Sequence, residues 1–405
     1  MRILHVITSM DPSYGGPSEG VRNLAHCLRS LGHSWEVVCL DDPQAGFLAN
    51  ESIPVHALGK SRKPWSYHPD LKNWLEYNLP RFDGVILNGL WQYPGYVMSR
   101  FAQYPGAPPF FVYPHGMLDP WFQKAEGRRL KAIRNWIYWK LIEHNVINRA
   151  KAVLFTCAEE KRLASTTFSS YHPQNEINVG YGVSDPPAFM EQMTDAFTQK
   201  CPDLQRASYY VFLSRIHPKK GIDLTIKAYA ATYHASPVTH PSSIPHLVIA
   251  GPGLETEYGR AMQKLAADLC PPAHVHWPGM LTGDAKWGAL YGAEAFVLNS
   301  HQENFGIAVV EALSCATPVL ISNQINIWQE IDQDKGGFVA GDTEVGAKQI
   351  LLQWHGLSPE EKGRMRKAAR NCYEKRFGIN TAALNLLSTL QQQIGTKTET
   401  TSSIP

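Results

Sequence analysis

Short apolar runs alternate along the chain with longer segments in which apolar residues recur three and four positions apart. In the first half, runs rich in β-branched or aromatic residues predict strands at 3–8, 35–40, 84–88, 110–113 and 152–156. The first strand is followed by a Gly-rich loop and a predicted helix over 19–31. Buried strands that alternate with amphipathic helices are typical of a parallel α/β sheet.

The alternation stops at residues 181–203, which are rich in glycine and proline and are predicted to form a linker. It then restarts, with strands predicted at 209–213, 247–250, 295–298 and 319–321, and helices at 222–233, within 280–291, over 345–376 and at 381–393. A chain of 405 residues is too long for one ordinary core. We therefore expect domains at 1–185 and 186–378, a helix at 379–393 that packs back on the first domain, and a disordered tail at 394–405.

Composition, charge and the lengths of the apolar runs argue against a nucleic-acid-binding, membrane-spanning or secreted protein. The chain is 44% hydrophobic and 18% charged, and its net charge of +2 gives no overall reason to expect nucleic acid. No run approaches 18 apolar residues, and MRILHVITSM is predicted to be a buried strand, not a signal peptide. The seven scattered cysteines lack metal-ligand spacing and indicate reduced thiols in a cytosolic protein.

The stretch 299–321 carries the most concentrated candidate chemistry. Glu303 and Glu311 flank a turn, NFGI (304–307), that leads into an apolar helical run. A helix starting near Phe305 would present unpartnered N–H groups and a positive dipole to a phosphate, and Gly306 would let the backbone approach it. A helical span would separate the carboxylates by ~12 Å, enough to hold opposite ends of a nucleotide sugar. Alternatively, Glu303 is a helix-start charge and Glu311 lies on a solvated helix face.

Three other segments follow predicted strands. Gly15 and Gly16 lie in the loop after the first strand, a position that can face an anion, although GxGxxG is absent and a plain loop is the alternative. His115 can donate a hydrogen bond to a sugar hydroxyl or carbonyl, or can cap a loop carbonyl. Arg215 and Lys220 can meet a diphosphate, or can be solvated cations of an ordinary basic loop.

A long helical region at 124–151 is both basic and apolar. Apolar residues recur at helical spacing, widened by tryptophans, among five cations: Arg128, Arg129, Lys131, Arg134 and Lys140. Such a helix can lie on anionic lipid. The alternative is a helix whose apolar stripe, Leu130, Ile133, Ile137 and Leu141, packs on its own sheet while its cations stay in water.

The motifs together resemble a retaining glycosyltransferase of family 4, which has the GT-B fold. The matching pieces, spread over nearly the whole chain, are GGPSEGV (15–21), PHG (114–116), SRIHPKKG (214–221), AGPG (250–253) and the E-x7-E block NSHQENFGIAVVEAL (299–313). Two positions depart from the family pattern. Asn299 stands where the family often has proline, and Ala316 stands where glycine is common.

The resemblance implies two Rossmann-like domains, with parallel sheets facing across a central cleft, the first for the acceptor and the second for the donor. It implies Arg215 and Lys220 at the donor diphosphate, Glu303 at the transferred sugar and His115 at the sugar or the reacting centre. Glu311 would accept hydrogen bonds from the ribose. The implied donor-binding residues are Gly15, Gly16, Gly253, Met280, Asn304, Phe305, Gly306, Ile307 and Glu311.

We expect no metal or other cofactor, because no Asp-x-Asp segment is expected to offer paired ligands to a divalent cation, and Asp41-Asp42 is predicted to be a turn. The expected partners are a nucleotide-sugar donor and a glycan or lipid-linked acceptor, with no nucleic acid. The expected location is cytoplasmic, with peripheral contact to the inner face of a membrane if residues 124–151 bind lipid. Two alternatives stay open: a nucleotide-sugar epimerase on the same scaffold, and a non-catalytic nucleotide- or carbohydrate-binding protein.

Overall fold

Two units make up the structure, a computed structural model that describes residues 1–125, 127–205, 207–235 and 245–395. The first unit combines Met1–Gly182 with Ile379–Pro405, and the second unit is Val183–Gly378. The tail predicted at 394–405 lies outside the described residues, except for its first two. Ile394 still belongs to the last helix.

The first unit is built on a seven-stranded parallel sheet. Its strands are β1 (Arg2–Val6), β2 (Ser34–Cys39), β3 (Val55–Ala57), β4 (Gly84–Asn88), β5 (Phe110–Tyr113), β6 (Ala152–Phe155) and β7 (Glu176–Asn178). Their order is β3-β2-β1-β4-β5-β6-β7 and every neighbouring pair is parallel. The inner strands are buried along almost their whole length, which explains why their sequences are continuous apolar runs.

Helices cover this sheet and include one from the end of the described chain. They are α1 (Gly16–Ser30), α2 (Asp70–Asn78), α3 (Tyr93–Phe101), α4 (Trp121–Lys124), α5 (Arg129–Tyr138), α6 (His144–Arg149), α7 (Ala158–Ala164) and α16 (Ile379–Ile394). A π-helical turn, Trp139–Glu143, joins α5 to α6. Helix α16 packs against α1 and buries Leu386 and Leu390.

The second unit repeats the plan with six parallel strands. They are β8 (Tyr209–Leu213), β9 (His246–Ala250), β10 (Val275–Gly279), β11 (Ala295–Leu298), β12 (Val319–Ser322) and β13 (Gly337–Ala340), in the order β10-β9-β8-β11-β12-β13. Its helices are α8 (Glu191–Lys200), α9 (Ile222–Ala235), α10 (Glu257–Leu269), α11 (Gly283–Gly292), α12 (Ile307–Ser314), α13 (Trp328–Gln333), α14 (Glu344–His355) and α15 (Pro359–Cys372).

The segment predicted to be a linker, 181–203, is not a plain loop. Helix α8 occupies residues 191–200 and buries Met193 and Phe197 on one face. Its sequence, EQMTDAFTQK, holds only those two large apolar residues, four positions apart, so the helical period was too weak to predict a helix. The glycines and prolines that suggested a linker lie on either side of it.

The predicted α/β class is confirmed by the two parallel sheets. In the part of the chain that the structure describes, no helix is both long and apolar enough to cross a membrane.

Candidate active site

The carboxyl edge of the second sheet has one topological switch point. From β8 the chain adds β9 and β10 on one side, then returns to place β11, β12 and β13 on the other. Parallel α/β sheets bind ligands where the loops after two such neighbouring strands diverge. The loop after β8 carries Arg215 and Lys220, and the loop after β11 carries Glu303. Neighbouring strands thus bring these two motifs together although they are about eighty positions apart in sequence.

Two glycines allow the loops to approach this closely. Gly221 has φ +60°, and a Cβ built on it would lie 1.9 Å from the carbonyl oxygen of Asn299. Gly251 has φ +149°, and its Cβ would lie 1.8 Å from the carbonyl oxygen of Ser214. Any side chain at either position would push the loop after β8 away from its neighbour.

Asn299, where the family often has proline, helps to hold this arrangement. It is fully buried, and its amide Nδ2 donates to Thr225 Oγ1 at 3.0 Å. Thr225 Oγ1 in turn donates to the carbonyl oxygen of Gly221 at 3.1 Å. The departure from the family pattern thus adds a hydrogen-bonded tie between the two loops.

Lys220 and Glu303 form an ion pair at the switch point. Lys220 Nζ donates to Glu303 Oε2, and both side chains are largely shielded from water. Their opposite charges balance each other. Arg215 is exposed, and none of the described residues forms an ion pair with it. The guanidinium of Arg215 is therefore the cation most available to an arriving anion.

The backbone of Glu303 is held in place by the loop after β12. Its N–H donates to the carbonyl oxygen of Gln324 at 2.9 Å, and its carbonyl oxygen accepts from the N–H of Asn326 at 3.0 Å. The side chain of Asn326 also donates to Asn304 Oδ1 at 3.4 Å. Glu303 thus lies before the helix, not within it, so the ~12 Å estimate for a helical span does not apply here.

Helix α12 begins directly after this loop. Its N-cap is Gly306 in the left-handed region, φ +76° and ψ +64°, without a side-chain hydrogen bond to the cap. The N–H of Val309 already donates to the carbonyl oxygen of Gly306 at 2.9 Å, so the N–H groups of Ile307 and Ala308 are the ones that an external acceptor could meet. The ring of Phe305 is buried and packs edge-on against Phe377 at 5.7 Å between centroids. Any donor contact of Phe305 would therefore come from its backbone.

Glu311 faces a cation that sequence analysis missed. Lys286 on α11 donates from Nζ to Glu311 Oε1 at 2.7 Å, and the same ammonium lies 4.1 Å from the centroid of the Trp287 ring. Lys286 belongs to no motif, and a lone lysine in a helix gives no signal in a single sequence. Only the packing of α11 beside α12 identifies it as a neighbour of Glu311.

The remaining predicted residues of the second unit border the same edge. Gly253, φ +112°, lies against the carbonyl oxygen of Ile216, 2.8 Å from an added Cβ. Met280 follows β10 and is 63% exposed. The structure thus brings Lys220 into contact with Glu303 and Gly253 into contact with the basic loop, whereas Met280 is an outlying member of the edge.

In the first unit, His115 belongs to a hydrogen-bonded chain of three side chains. Asn88, at the end of β4, donates from Nδ2 to His5 Nδ1 at 2.9 Å and accepts at Oδ1 from His115 Nε2 at 3.1 Å. Because an amide nitrogen only donates and an amide oxygen only accepts, His5 is neutral with its proton on Nε2, and His115 carries a proton on Nε2. In the neutral ring, which burial of His115 favours, the lone pair is at Nδ1, so His115 would accept a hydrogen bond from a sugar hydroxyl instead of donating one.

The surroundings of both histidines favour this neutral state. Burial lowers the pKa of His115 to about 3, and burial together with the nearby His115 lowers the pKa of His5 to about 3. His115 also stacks on Tyr113, 4.5 Å between ring centroids, and has φ +51°. At neutral pH these rings contribute hydrogen bonds and shape, not charge.

A cavity of about 700 Å³ lies at the carboxyl edge of the first sheet, around the switch point between β1 and β4. It is lined by the start of α1, close to Gly15 and Gly16, and by Asn88, the partner of His115. Gly15 caps α1 with φ +90°, and the hydroxyl of Tyr181 donates to the carbonyl oxygen of Gly16 at 2.5 Å. The glycines could be predicted from the sequence, whereas the cavity and the role of Asn88 could not.

Carboxylates with the spacing of a metal site are already paired. Asp332 and Asp334 form an Asp-x-Asp sequence that was not named among the candidate residues above. Asp334 accepts from Lys375 and Arg376 at 2.7 Å each, and the Arg376 hydrogen bond is the main cause that lowers its pKa. Asp42 Oδ1 accepts from the N–H of Gln44, which confirms the predicted turn. Among the described residues, no three His, Cys, Asp or Glu side chains are grouped to hold a metal ion.

Comparisons with known proteins agree with this two-unit plan. Residues 15–175 match the glycosyl transferase 4-like domain, and residues 195–371 match glycosyl transferases group 1. A curated relative, the D-inositol 3-phosphate glycosyltransferase of Geodermatophilus obscurus, is 28% identical over 186 residues. That alignment covers 44% of this chain and 39% of the relative, so the match spans about two fifths of the relative's length.

Solved structures resemble the chain over nearly its full length. A glycosyltransferase from Rickettsia africae superposes with a TM-score of 0.75 at 15% identity, covering 98% of this chain and 99% of the other. The Anabaena protein Alr3699/HepE, solved in complex with UDP, gives a TM-score of 0.73 at 17% identity, covering 97% and 100%. These similarities establish the GT-B fold. Because the two family matches together take in most of the sequence, this chain belongs to the glycosyltransferases of the GT-B fold and family 4 type.

Proposed function

We propose that the chain is a retaining glycosyltransferase that moves a sugar from a nucleotide-sugar donor to a glycan or lipid-linked saccharide acceptor, in polysaccharide or glycolipid synthesis. The observation that carries the proposal is the charge arrangement at the switch point of the second sheet. An exposed Arg215, the Lys220–Glu303 pair and the uncapped start of α12 lie on adjoining loops there.

The proposed chemistry needs a positive field at a leaving diphosphate. Breaking a sugar–phosphate bond leaves growing negative charge on the diphosphate and an oxocarbenium-like sugar. Arg215, Lys220 and the N–H groups at Gly306 and Ile307 supply donors for that charge. Each such donor is worth on the order of 3 kcal/mol in the transition state. In this proposal no metal ion takes part.

In this proposal, Lys220 and Glu303 exchange each other for parts of the donor when it binds. When a diphosphate takes the ammonium of Lys220 as a partner, the Glu303 carboxylate becomes available to hydroxyls of the transferred sugar. Glu311, held by Lys286, is proposed to accept hydrogen bonds from the ribose. His115 Nδ1 is proposed to accept from a hydroxyl of the donor sugar or at the reacting centre, and the loop around Met280 to meet the base through its backbone.

Retention of configuration follows in the proposal from front-face attack. The acceptor hydroxyl approaches from the side of the leaving group, and the departing phosphate oxygen takes its proton. The new glycosidic bond forms on the face from which the phosphate leaves. The cationic groups around the diphosphate keep that oxygen in place during the exchange.

The first experiment identifies the donor. A thermal-shift panel of UDP-, GDP- and ADP-sugars exposes the purified chain to each candidate. A ligand at 100 times its Kd adds ~2.7 kcal/mol of stability, so a true donor shifts the midpoint clearly. Because the Anabaena protein of the same fold was solved with UDP and with UDP-glucose, uridine diphosphate sugars are the first to test.

The second experiment measures transfer from that donor to glycan and lipid-linked acceptors. Glu303→Gln is expected to lose about a hundredfold or more in transfer while still binding the nucleotide, whereas the exposed control Glu255→Gln retains it. Transfer is expected to be unchanged by EDTA. Wild-type turnover in a folded Glu303→Gln variant would exclude the proposed role of Glu303.

The same assay distinguishes the alternatives. A nucleotide-sugar epimerase would convert the donor alone into an isomer without an acceptor. A non-catalytic binding protein would give a thermal shift with no turnover on any acceptor. The carboxylates, cations and glycine contacts all converge on one sheet edge, which favours transfer over a binding role.

A cytoplasmic location is part of the proposal. All seven cysteines are free thiols, six of them buried, as suits a protein in a reducing compartment.

A further inference from the structure

Helix α5 presents an inverted amphipathic pattern. The outward side of this helix and of the π-helical turn after it carries five large apolar residues, all exposed, with Leu130 84% and Leu141 70% accessible: Leu130, Ile133, Trp136, Ile137 and, in the turn, Leu141. Its inward side buries the polar Asn135, along with Trp139 of the π-helical turn. The alternative in which this apolar stripe packs on the protein's own sheet is therefore wrong. These five apolar residues and the cations Arg128, Arg129, Lys131, Arg134 and Lys140 are called the α5 face below.

The inward contacts hold the α5 face rigidly on the first unit. Tyr138 accepts at its hydroxyl from Trp65 Nε1 at 2.5 Å, and Trp139 donates from Nε1 to the carbonyl oxygen of Ser169 at 2.7 Å. With its inner side anchored in this way, the helix cannot turn its apolar side inward without breaking these bonds.

Charge accompanies the apolar residues. The sequence from 121 to 142 carries six Lys or Arg and one acidic residue, a net +5 in a chain whose total is +2. Lys140 Nζ lies 4.1 Å from the centroid of the Trp136 ring, so a cation and an aromatic share the surface. Between the apolar side chains runs a shallow groove of about 370 Å³, lined by Leu130, Ile133 and Ile137 among others.

We propose that the α5 face docks the protein on an anionic lipid surface. Apolar side chains would enter the region between headgroups and acyl chains, Trp136 would lie at its boundary, and the surrounding cations would meet lipid phosphates. Exposed apolar patches of this kind otherwise mark protein interfaces. A second copy of the same face is disfavoured because docking would bring two clusters of cations together.

The proposal goes beyond sugar transfer and does not depend on it, since vesicle binding can be measured without donor or acceptor. The full chain is mixed with vesicles of phosphatidylcholine, or of equal parts phosphatidylglycerol and phosphatidylcholine, and separated by flotation. Wild-type protein is expected to float with the anionic vesicles, to float less as salt is raised, and to stay unbound with phosphatidylcholine alone.

Two variants and matched controls locate the binding surface. Leu130→Ser with Leu141→Ser is expected to lower the fraction bound at least tenfold, because both side chains are largely exposed and would enter the lipid. Arg129→Gln with Lys131→Gln should lower the partition coefficient about fivefold for each charge removed. Tyr77→Ser and Lys72→Gln, on the exposed face of α2, should leave flotation unchanged.

Three outcomes would overturn the proposal. One is the absence of flotation of folded wild-type protein on anionic vesicles. Another is equal flotation of the leucine variant and the wild type. The third is a concentration-dependent dimer, seen by light scattering and removed by the leucine variant, without vesicle binding, which would assign the face to self-association. Transfer to a water-soluble acceptor is expected to persist in the leucine variant, so failure of this proposal leaves the proposed function standing.

Discussion

At the candidate site of the second unit, two lysine side chains are each paired with a glutamate. Lys220 is paired with Glu303 and Lys286 with Glu311, which leaves the exposed Arg215 as the cation without a carboxylate among the described residues. Removing one partner of a shielded pair would leave an uncompensated charge, so each pair holds its two side chains in place until a ligand replaces one partner. Sequence analysis named four of these five residues but not their pairing, because a motif gives spacing along the chain and not contacts.

The two buried histidines of the first unit predict a pH dependence of stability. His5 has its pKa lowered to about 3 by burial, against an ordinary value of 6.5. Below pH 6.5 the unfolded chain binds a proton at this position that the folded chain does not, so stability falls as pH falls and is fully present above 6.5. From pH 7.5 to 5.5 the expected loss is about 1.4 kcal/mol for His5.

Urea denaturation at the two pH values checks this prediction. His5→Gln removes the titrating group, so its free energy of unfolding should change less between pH 7.5 and 5.5 than that of the wild type, by that amount. His26→Gln, which changes a surface histidine on α1, serves as the control and should follow the wild type. Identical pH dependence in His5→Gln and wild type would show that His5 titrates normally in the folded protein.

Among secondary-structure elements, the turn into α12 depends most strictly on one residue. Gly306 has φ +76°, and a Cβ there would lie 3.2 Å from Val309 Cγ2 and 3.3 Å from Ile325 Cγ2. Gly306→Ala is expected to cost about 1–2 kcal/mol from the left-handed backbone alone and to weaken nucleotide binding, because the helix start moves.

A substitution at a second glycine serves as a control, because it should raise the stability that Gly306→Ala lowers. Gly363 lies inside α15 with nothing within 4 Å of an added Cβ, so Gly363→Ala should stabilise the protein by up to about 1 kcal/mol. Thermal midpoints of the two variants, with nucleotide titrations, measure both effects. A Gly306→Ala variant as stable as the wild type, with unchanged nucleotide affinity, would contradict the account of this turn.

Some strands could be predicted from the sequence and others could not, and the difference has a physical reason. Inner strands such as β4 and β11 are buried on both faces, so their apolar runs stand out. The short outer strands β3 and β7, of three residues each, and β13 carry no such run and were missed. For α5 the helical period was predicted correctly, but periodicity alone cannot say whether an apolar stripe faces the core or solvent.

Over the whole molecule, the first unit is assembled from both ends of the described chain. Helix α16 buries Leu386 and Leu390 against residues that precede 183. Leu386→Ala is expected to cost about 2–5 kcal/mol of stability. Leu384→Ala, on the exposed side of the same helix, should cost less than about 0.5 kcal/mol.

The consequence of the α16 substitution should be confined to one unit. Hydrogen exchange is expected to rise in β1, β2 and α1 of the Leu386→Ala variant, while nucleoside diphosphate affinity, which depends on residues of the second unit, stays near the wild-type value. Faster exchange in β8 and β11, or a parallel loss of nucleotide affinity, would show that α16 stabilises the chain as one cooperative body.

We expect the cations at the switch point of the second sheet to hold the diphosphate of the donor. Calorimetric titration of UDP, GDP and ADP into wild type, Arg215→Gln, Lys220→Met and Lys227→Met tests it most directly. Lys227→Met is the matched control, because Lys227 pairs with Glu344 on the surface of the same unit. We predict that at least one diphosphate binds, with Kd raised about tenfold or more in the first two variants and unchanged in the control. Equal binding by folded Arg215→Gln, Lys220→Met and wild type would contradict the account.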